Sequence, residues 1–328
     1  MGKIICLGIE GTAHTFGVGI VTEEGKILAN KKDVYIPPVG KGIIPQEAAK
    51  HHESVKEIVL ENSLKEAKIT LENIDIISYS AGPGLPLPLI KTADFAIQLS
   101  KKYKKILLPV NHCVAHLEIG KLTTGAEDPV FLYLSGGNTQ VIAFTEGRYR
   151  VFGETEDIPV GNALDVLARE LNLPMPGGSE IEKLASKGKY AELPLVIKGM
   201  DVSFSGIVTA AIRKLKEGSK PEDIAYSMQE TCFAMLTEVT ERALAHSDKK
   251  EVLLVGGVAA NKRLQEMINV MCKERGAEFY VVPQEYASDN GANIAWTGLL
   301  AYKNKKIEKI KDKFLSRWRI GEVSWFRS

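Results

Sequence analysis

Residues 4–31 read IICLGIEGTAHTFGVGIVTEEGKILANK, and residues 130–153 read VFLYLSGGNTQVIAFTEGRYRVFG. Each stretch has one plan: an apolar strand, a turn of small residues, a second apolar strand, a Glu-Gly turn and a third strand. In the first, the strand candidates are Ile4–Ile9, Phe16–Val21 and Lys26–Lys31. Glu10-Gly11-Thr12 and Glu23-Glu24-Gly25 separate them. In the second they are Val130–Ser135, Gln140–Phe144 and Tyr149–Gly153, separated by Gly136-Gly137 and Glu146-Gly147. Strands joined by tight turns form meanders. A meander that returns in the second half points to an internally duplicated fold, although two unrelated meanders would read alike.

Outward from the meanders, strands alternate with helices. Pro45–Leu64 reads as a helix with Val55, Ile58 and Val59 on one face. Ile74–Ser80 is a strand feeding the loop Gly82-Pro83-Gly84, then come a helix over Leu89–Leu99 and a strand over Ile106–Val110. After the second meander, Asn162–Leu171 and Pro221–Ala245 are helices and Glu251–Gly256 is a buried strand. The run 256–261 opens a helix through Lys273, followed by a strand over Phe279–Val282 and a helix over Asn290–Tyr302. The class is α/β. The expected division is a first lobe of residues 1–128 and a second of 129–328, the C-terminal segment packing back on the first.

With 328 residues, 45% hydrophobic and 25% charged, both halves can bury a core. A net charge of +1 argues against a general nucleic-acid coat protein but allows a local basic patch. Lys101-Lys102-Tyr103-Lys104-Lys105 and residues 303–319 are the candidates, each equally a solvated face. Cys6, Cys113, Cys232 and Cys272 lie far apart without a C-x-x-C pair. That argues against a disulfide framework or cysteine zinc site and fits buried thiols of a cytoplasmic protein. The sequence offers no signal-peptide layout and no apolar stretch long enough for a bilayer.

The sharpest chemical signal is Asn111-His112-Cys113-Val114-Ala115-His116. Histidines at i and i+4 share one helix face, which suits a metal ion or an ordinary packed pair. A metalloprotease would need Glu where Cys113 stands. His51-His52 is adjacent rather than face-sharing and reads as structural or as support for a nearby site. Ser135-Gly136-Gly137-Asn138-Thr139 and Gly11-Thr12 occupy matching turns, where backbone N–H groups could approach phosphate or simply close hairpins. Asn261 follows a buried strand and could meet a base or cap the helix. Asp289 could be an N-cap or a third metal ligand, carried at the start of a second-lobe helix.

Read in order, these motifs resemble one family. They run from Gly8-Ile9-Glu10-Gly11-Thr12 through Glu47-Ala48-Ala49, Gly82-Pro83-Gly84-Leu85, Asn111–His116 and Tyr133–Gln140. Phe152-Gly153-Glu154-Thr155, Gly161-Asn162-Ala163-Leu164-Asp165, Pro176-Gly177-Gly178 and Ser203-Phe204-Ser205-Gly206 follow, then Gly256–Asn261 and Asp289–Ala292. The chain is similar to the universal tRNA threonylcarbamoyladenosine transferases, in their archaeal and eukaryotic KEOPS branch. The resemblance implies a duplicated two-lobed actin, sugar-kinase and heat-shock ATPase-like fold, of ribonuclease-H-like type, with an interlobe cleft. It implies one divalent metal, Fe2+ or Zn2+, on His112, His116 and Asp289 with Tyr133 as a further ligand. It implies substrate and adenine-nucleotide contacts from Tyr133, Ser135, Gly136, Gly137, Asn138, Asp165, Gly178, Glu182 and Asn261. Asp165 and Glu182 suit ribose hydroxyls. Threonylcarbamoyl-adenylate is the expected nucleotide, with ATP or its analogues as further occupants.

The implied reaction is transfer of the threonylcarbamoyl group to a tRNA adenosine. The implied partners are tRNA, a small atypical protein kinase and small accessory subunits, with no membrane. Glu10 is a candidate general base, or a structural turn carboxylate. Two positions depart from the family pattern: Pro86 where glycine is usual, and Asn293 where Met is common. Neither is expected to touch a metal ligand.

Overall fold

The computed structural model describes residues 4–38, 42–305 and 310–323. The chain divides into two compact units, one of residues 1–122, 145–149 and 289–328, the other of residues 123–144 and 150–288.

The first unit is built on five strands. β1 (Ile5–Glu10), β2 (Thr15–Thr22) and β3 (Ile27–Val34) form the antiparallel meander. β4 (Ile76–Gly82) and β5 (Ile106–Asn111) add in parallel beyond β1, giving the order β3-β2-β1-β4-β5. α1 (Pro45–Ala67) packs on β2, β3 and α2 (Pro86–Tyr103), and α2 is the crossover that the parallel pair β4 and β5 requires. α3 (His112–Thr124) follows β5 without a loop. Pro86 falls in the first turn of α2. There its missing N–H breaks no helical bond and its fixed φ suits the helix, so the departure from glycine is a helix start.

The second unit repeats the plan. β6 (Val130–Leu134), β7 (Thr139–Thr145) and β8 (Arg148–Glu154) are the second meander, followed by α4 (Val160–Glu170) and α5 (Gly178–Ala185). A two-stranded ribbon of β9 (Ile197–Lys198) and β10 (Asp201–Val202) leads to α6 (Ser205–Lys216) and α7 (Pro221–Ser247). β11 (Glu251–Val255), α8 (Lys262–Glu274), β12 (Glu278–Val281) and α9 (Gln284–Ala287) complete it. The sheet order β8-β7-β6-β11-β12 matches β3-β2-β1-β4-β5, with β6 antiparallel to β7 and parallel to β11. The duplication read from the two meanders is therefore real. Residues 257–260 form a 3-10 turn before α8 rather than its first turn.

α10 (Gly291–Lys303) packs on β1, β2 and β4 and belongs to the first unit, so the C-terminal part of residues 129–328 that groups with the first unit begins at residue 289. The reason is steric. A Cβ on Gly8 would lie 2.2 Å from the Ala295 nitrogen, and one on Gly19 2.1 Å from the Ala292 nitrogen. Glycine there lets the helix backbone lie directly on the strands. β2 is consequently buried along its whole length, with both α1 and α10 packed on it. Ile294 and Leu299 of α10 are fully buried, each stabilising by roughly 1.5–3 kcal/mol. The four cysteines are buried and form no disulfide with one another. Among the described residues no helix is long and apolar enough to cross a membrane.

Candidate metal centre

Asn111 ends β5 and fixes where α3 begins. Its Oδ1 accepts from the Val114 N–H at 3.1 Å, and its Nδ2 donates to the Trp318 carbonyl at 3.1 Å. With the helix start fixed, His112 and His116 stack one turn apart, ring centroids 4.7 Å apart and nearly perpendicular. Asp289 arrives just ahead of α10. Asn290 is the N-cap there, its Oδ1 accepting from the Asn293 N–H at 3.2 Å. Asp289 is thus released from capping, and its Oδ1 lies 3.4 Å from His112 Nε2 and 3.2 Å from His116 Nε2. One ligand atom from each of the three lies within 4.8 Å of the others. Lys32 Nζ donates to the Asp289 carbonyl at 3.2 Å, helping to hold the loop.

The other ring nitrogens face inward to polar partners. Glu10, at the end of β1, sets Oε2 3.0 Å from His112 Nδ1. Its Oε1 accepts from the Thr12 N–H at 2.8 Å and the Thr12 hydroxyl at 2.7 Å. Both carboxylate oxygens of this fully buried residue are engaged, which suits an orienting partner better than a proton acceptor. Asn293 Nδ2 lies 3.5 Å from His116 Nδ1. The expectation that Asn293 touches no metal ligand is therefore corrected: one helical turn from the Asn290 cap puts its side chain on the centre.

Burial alone would lower the pKa of His112, but the Glu10 and Asp289 carboxylates overcome it and push it up to about 9. Burial dominates at His116, aided by the His112 charge, and its pKa falls despite Asp289. Burial would raise Asp289, yet His112 and the His116 hydrogen bond hold its carboxyl well below the usual range. Two imidazoles and one carboxylate, with the Nδ1 side of both rings tied to other groups, form a donor set that fits zinc or ferrous iron.

Tyr133 is fully buried in β6 of the second unit, where Asn138 Nδ2 donates to its hydroxyl at 3.4 Å. Next to it, Ser135 Oγ accepts from the N–H groups of Gly137 at 3.2 Å and Asn138 at 2.9 Å. Gly136 and Gly137 have ordinary negative-φ or extended backbone, and a Cβ on either would meet nothing within 4 Å. Neither packing nor a left-handed turn requires glycine there, leaving open approach by another molecule as its use. Gly161 in α4 abuts this turn, its Cβ position 2.6 Å from the Ser135 carbonyl.

The remaining nucleotide candidates form a chain of contacts. Asp165 Oδ1 accepts from the Gly177 N–H at 2.7 Å, beside Gly178 at the start of α5. Glu182 Oε1 accepts from the Lys262 N–H at 2.7 Å. Asn261 caps α8 through the Leu264 N–H and donates from Nδ2 to Gln229. Capping, one of its two sequence readings, is what its Oδ1 does.

His52, one of the pair left as structural or supporting, is buried beside Phe16, its ring nitrogens without partners among the described residues. Its neighbour His51 pairs with Asp33 at 2.7 Å. Of the basic stretches, Lys105 Nζ donates to the Glu72 carbonyl at 2.8 Å and Lys313 pairs with Asp94 at 2.6 Å. Lys101, Lys102, Arg317 and Arg319 are exposed, and residues 306–309 lie outside the described residues.

Residues 26–296 match the family described as TsaD, tRNA N6-adenosine threonylcarbamoyltransferase. A Methanopyrus kandleri protein with that same name is 54% identical over 98% of this chain and 96% of its own length. A Methanocaldococcus jannaschii protein, named a probable bifunctional tRNA threonylcarbamoyladenosine biosynthesis protein, is 53% identical over 99% of this chain. This chain spans only 61% of that longer relative. Among solved structures, T. kodakarensis HypF superposes with a TM-score of 0.62 at 17% identity, over 92% of this chain and 48% of its own. The shared architecture is the two-lobed actin, sugar-kinase and heat-shock ATPase type.

Proposed function

Because the chain belongs to the tRNA N6-adenosine threonylcarbamoyltransferase family, we propose that its donor is threonylcarbamoyl-adenylate and its acceptor the adenosine 3′-adjacent to the anticodon in tRNAs reading ANN codons. The chain is a transferase of tRNA threonylcarbamoyladenosine biosynthesis. In the transfer, the exocyclic amine nitrogen bonds the carbamoyl carbon. The bond from that carbon to the phosphate oxygen breaks, AMP leaves with the electron pair, and the amine proton passes to solvent.

An exocyclic amine is a weak nucleophile, so the carbamoyl carbon must be made more electrophilic. His112, His116 and Asp289 would hold an iron or zinc ion, which would supply Lewis-acid polarisation of the carbonyl. Glu10 keeps the His112 ring oriented rather than serving as the base. The Ser135–Asn138 turn offers backbone N–H groups to the departing phosphate. Asp165 and Glu182 accept from ribose hydroxyls, and Gly178 and Asn261 flank the nucleoside. Exposed Lys101, Lys102, Arg317 and Arg319 meet tRNA phosphates. A small atypical kinase and small accessory subunits complete the active unit, in the cytoplasm.

The observation that carries this reading is the convergence of His112, His116 and Asp289 within 4.8 Å. The test is transfer by the purified chain supplied with synthase-made adenylate and tRNA, alone and with KEOPS-type partners, alongside metal analysis. Modified tRNA and AMP should form in equal amounts, weakly alone and strongly with the partners. Bound adenylate with no modified tRNA in the complete mixture would sink the reading.

A further inference from the structure

We infer that Asn293 is a positioning residue for His116, its carboxamide oxygen accepting the Nδ1 proton whenever the centre holds its metal. The inference rests on the metal reading above and concerns a residue outside the proposed ligand set. The contact spans 177 residues of chain, from α3 to the first turn of α10.

His116 is almost wholly buried, and its Nε2 faces Asp289 Oδ1 at 3.2 Å. A neutral imidazole has one N–H and one lone pair. If Nε2 carries the proton, the ring donates to Asp289 and has no lone pair there for a cation. If Nδ1 carries it, Nε2 offers its lone pair beside Asp289, and the Nδ1 proton points at the Asn293 carboxamide 3.5 Å away. Of the two carboxamide ends, only Oδ1 can accept that proton.

Asn293 is 2% exposed, and its Oδ1 has no partner among the described residues. The two ends of a carboxamide are nearly the same shape and can exchange places without displacing a neighbour. The exchange turns a lone acceptor toward a donor that needs one, and a buried donor left unpaired costs about 1–3 kcal/mol. His112 has the same arrangement, with Glu10 Oε2 at its Nδ1 and Nε2 toward Asp289. The centre thus has two outer oxygen acceptors, one charged and one neutral. A neutral acceptor orients the ring without adding a third negative charge to the pair Glu10 and Asp289. Oxygen acceptors on the far nitrogen commonly change metal affinity by about 10–100-fold.

The experiment uses the full chain, zinc alone as probe, and a competing chelator. Asn293→Leu should weaken zinc binding by about 10–100-fold. Asn293→Asp, whose ionised carboxylate can only accept, should bind zinc at least as tightly as the parent. If the amide nitrogen were the group that matters, Asn293→Asp would fall as far as Asn293→Leu, and the inference is overturned. Parental affinity in Asn293→Leu also overturns it. The ring nitrogen shifts of His116 in the zinc-loaded parent need no variant: a protonated Nδ1 supports the inference, a bare one refutes it. A parent that binds neither zinc nor iron refutes the metal reading itself, and this inference with it.

Discussion

Gly291 and Gly19 meet backbone to backbone: a Cβ on Gly291 would sit 2.0 Å from the Gly19 nitrogen. Asp289 lies two residues before this contact, so the seating of α10 on β2 sets where the carboxylate reaches His112 and His116. Gly291→Ala should therefore lower both stability and bound metal. Overpacking of this kind costs typically about 1–3 kcal/mol. Thermal unfolding and metal content per chain are the readouts. A variant with the parent's melting temperature and full metal would show that the contact is not what places Asp289.

His112→Ala removes one of three converging ligand groups, and the partner Glu10 is left buried with an oxygen unpaired. Bound metal and transfer should both be lost, while AMP binding largely survives. His246→Ala is the control, since His246 lies on α7 in the second unit with its ring beside Phe152. Metal retention by His112→Ala, with near-normal transfer, would reduce the histidine pair to a structural feature.

Gly136→Val separates binding from folding. The Cβ position is open, so stability should change by no more than about 0.5 kcal/mol. If phosphate approaches the backbone there, AMP affinity should fall about tenfold, ~1.4 kcal/mol. Isothermal titration with AMP and a urea melt decide the matter. Unchanged AMP affinity would remove the turn from the nucleotide site.

His52 gives a pH dependence. Burial, then the neighbouring His51, brings its imidazole down to about 4, against about 6.5 unfolded. Between those values the unfolded chain binds a proton that the folded chain refuses. Stability is thus full above about pH 6.5 and falls as pH drops toward 4. From pH 7 to 5 the metal-free parent should lose about 2 kcal/mol more than His52→Phe. Equal losses in urea melts at the two pH values would contradict this assignment.

Local pattern made much of the fold legible. The strands of both meanders and the main helices are periodic over their own length, so sequence finds them to within a few residues. α5 and α6 were not read; α5 is only 8 residues long, and α6 follows a strand of only two residues. The i and i+4 spacing of His112 and His116 likewise needs only the helix to become a shared face. Glu10 was legible as a candidate base or a structural turn carboxylate, but not as a partner of His112, since nothing local records a contact 102 residues away.

The sequence by itself thus determined the duplicated α/β plan, the histidine face and the glycine turns, all of which depend on neighbours along the chain. Only the tertiary structure decided that α10 joins the first unit, that Asn290 takes the cap and frees Asp289, and that Asn293 reaches His116. Those outcomes depend on which backbones can touch. Gly8, Gly19 and Gly291 look in sequence like any other glycines of strands and helix starts. Their missing side chains acquire meaning only when a strand and a helix from opposite ends of the chain occupy the same space.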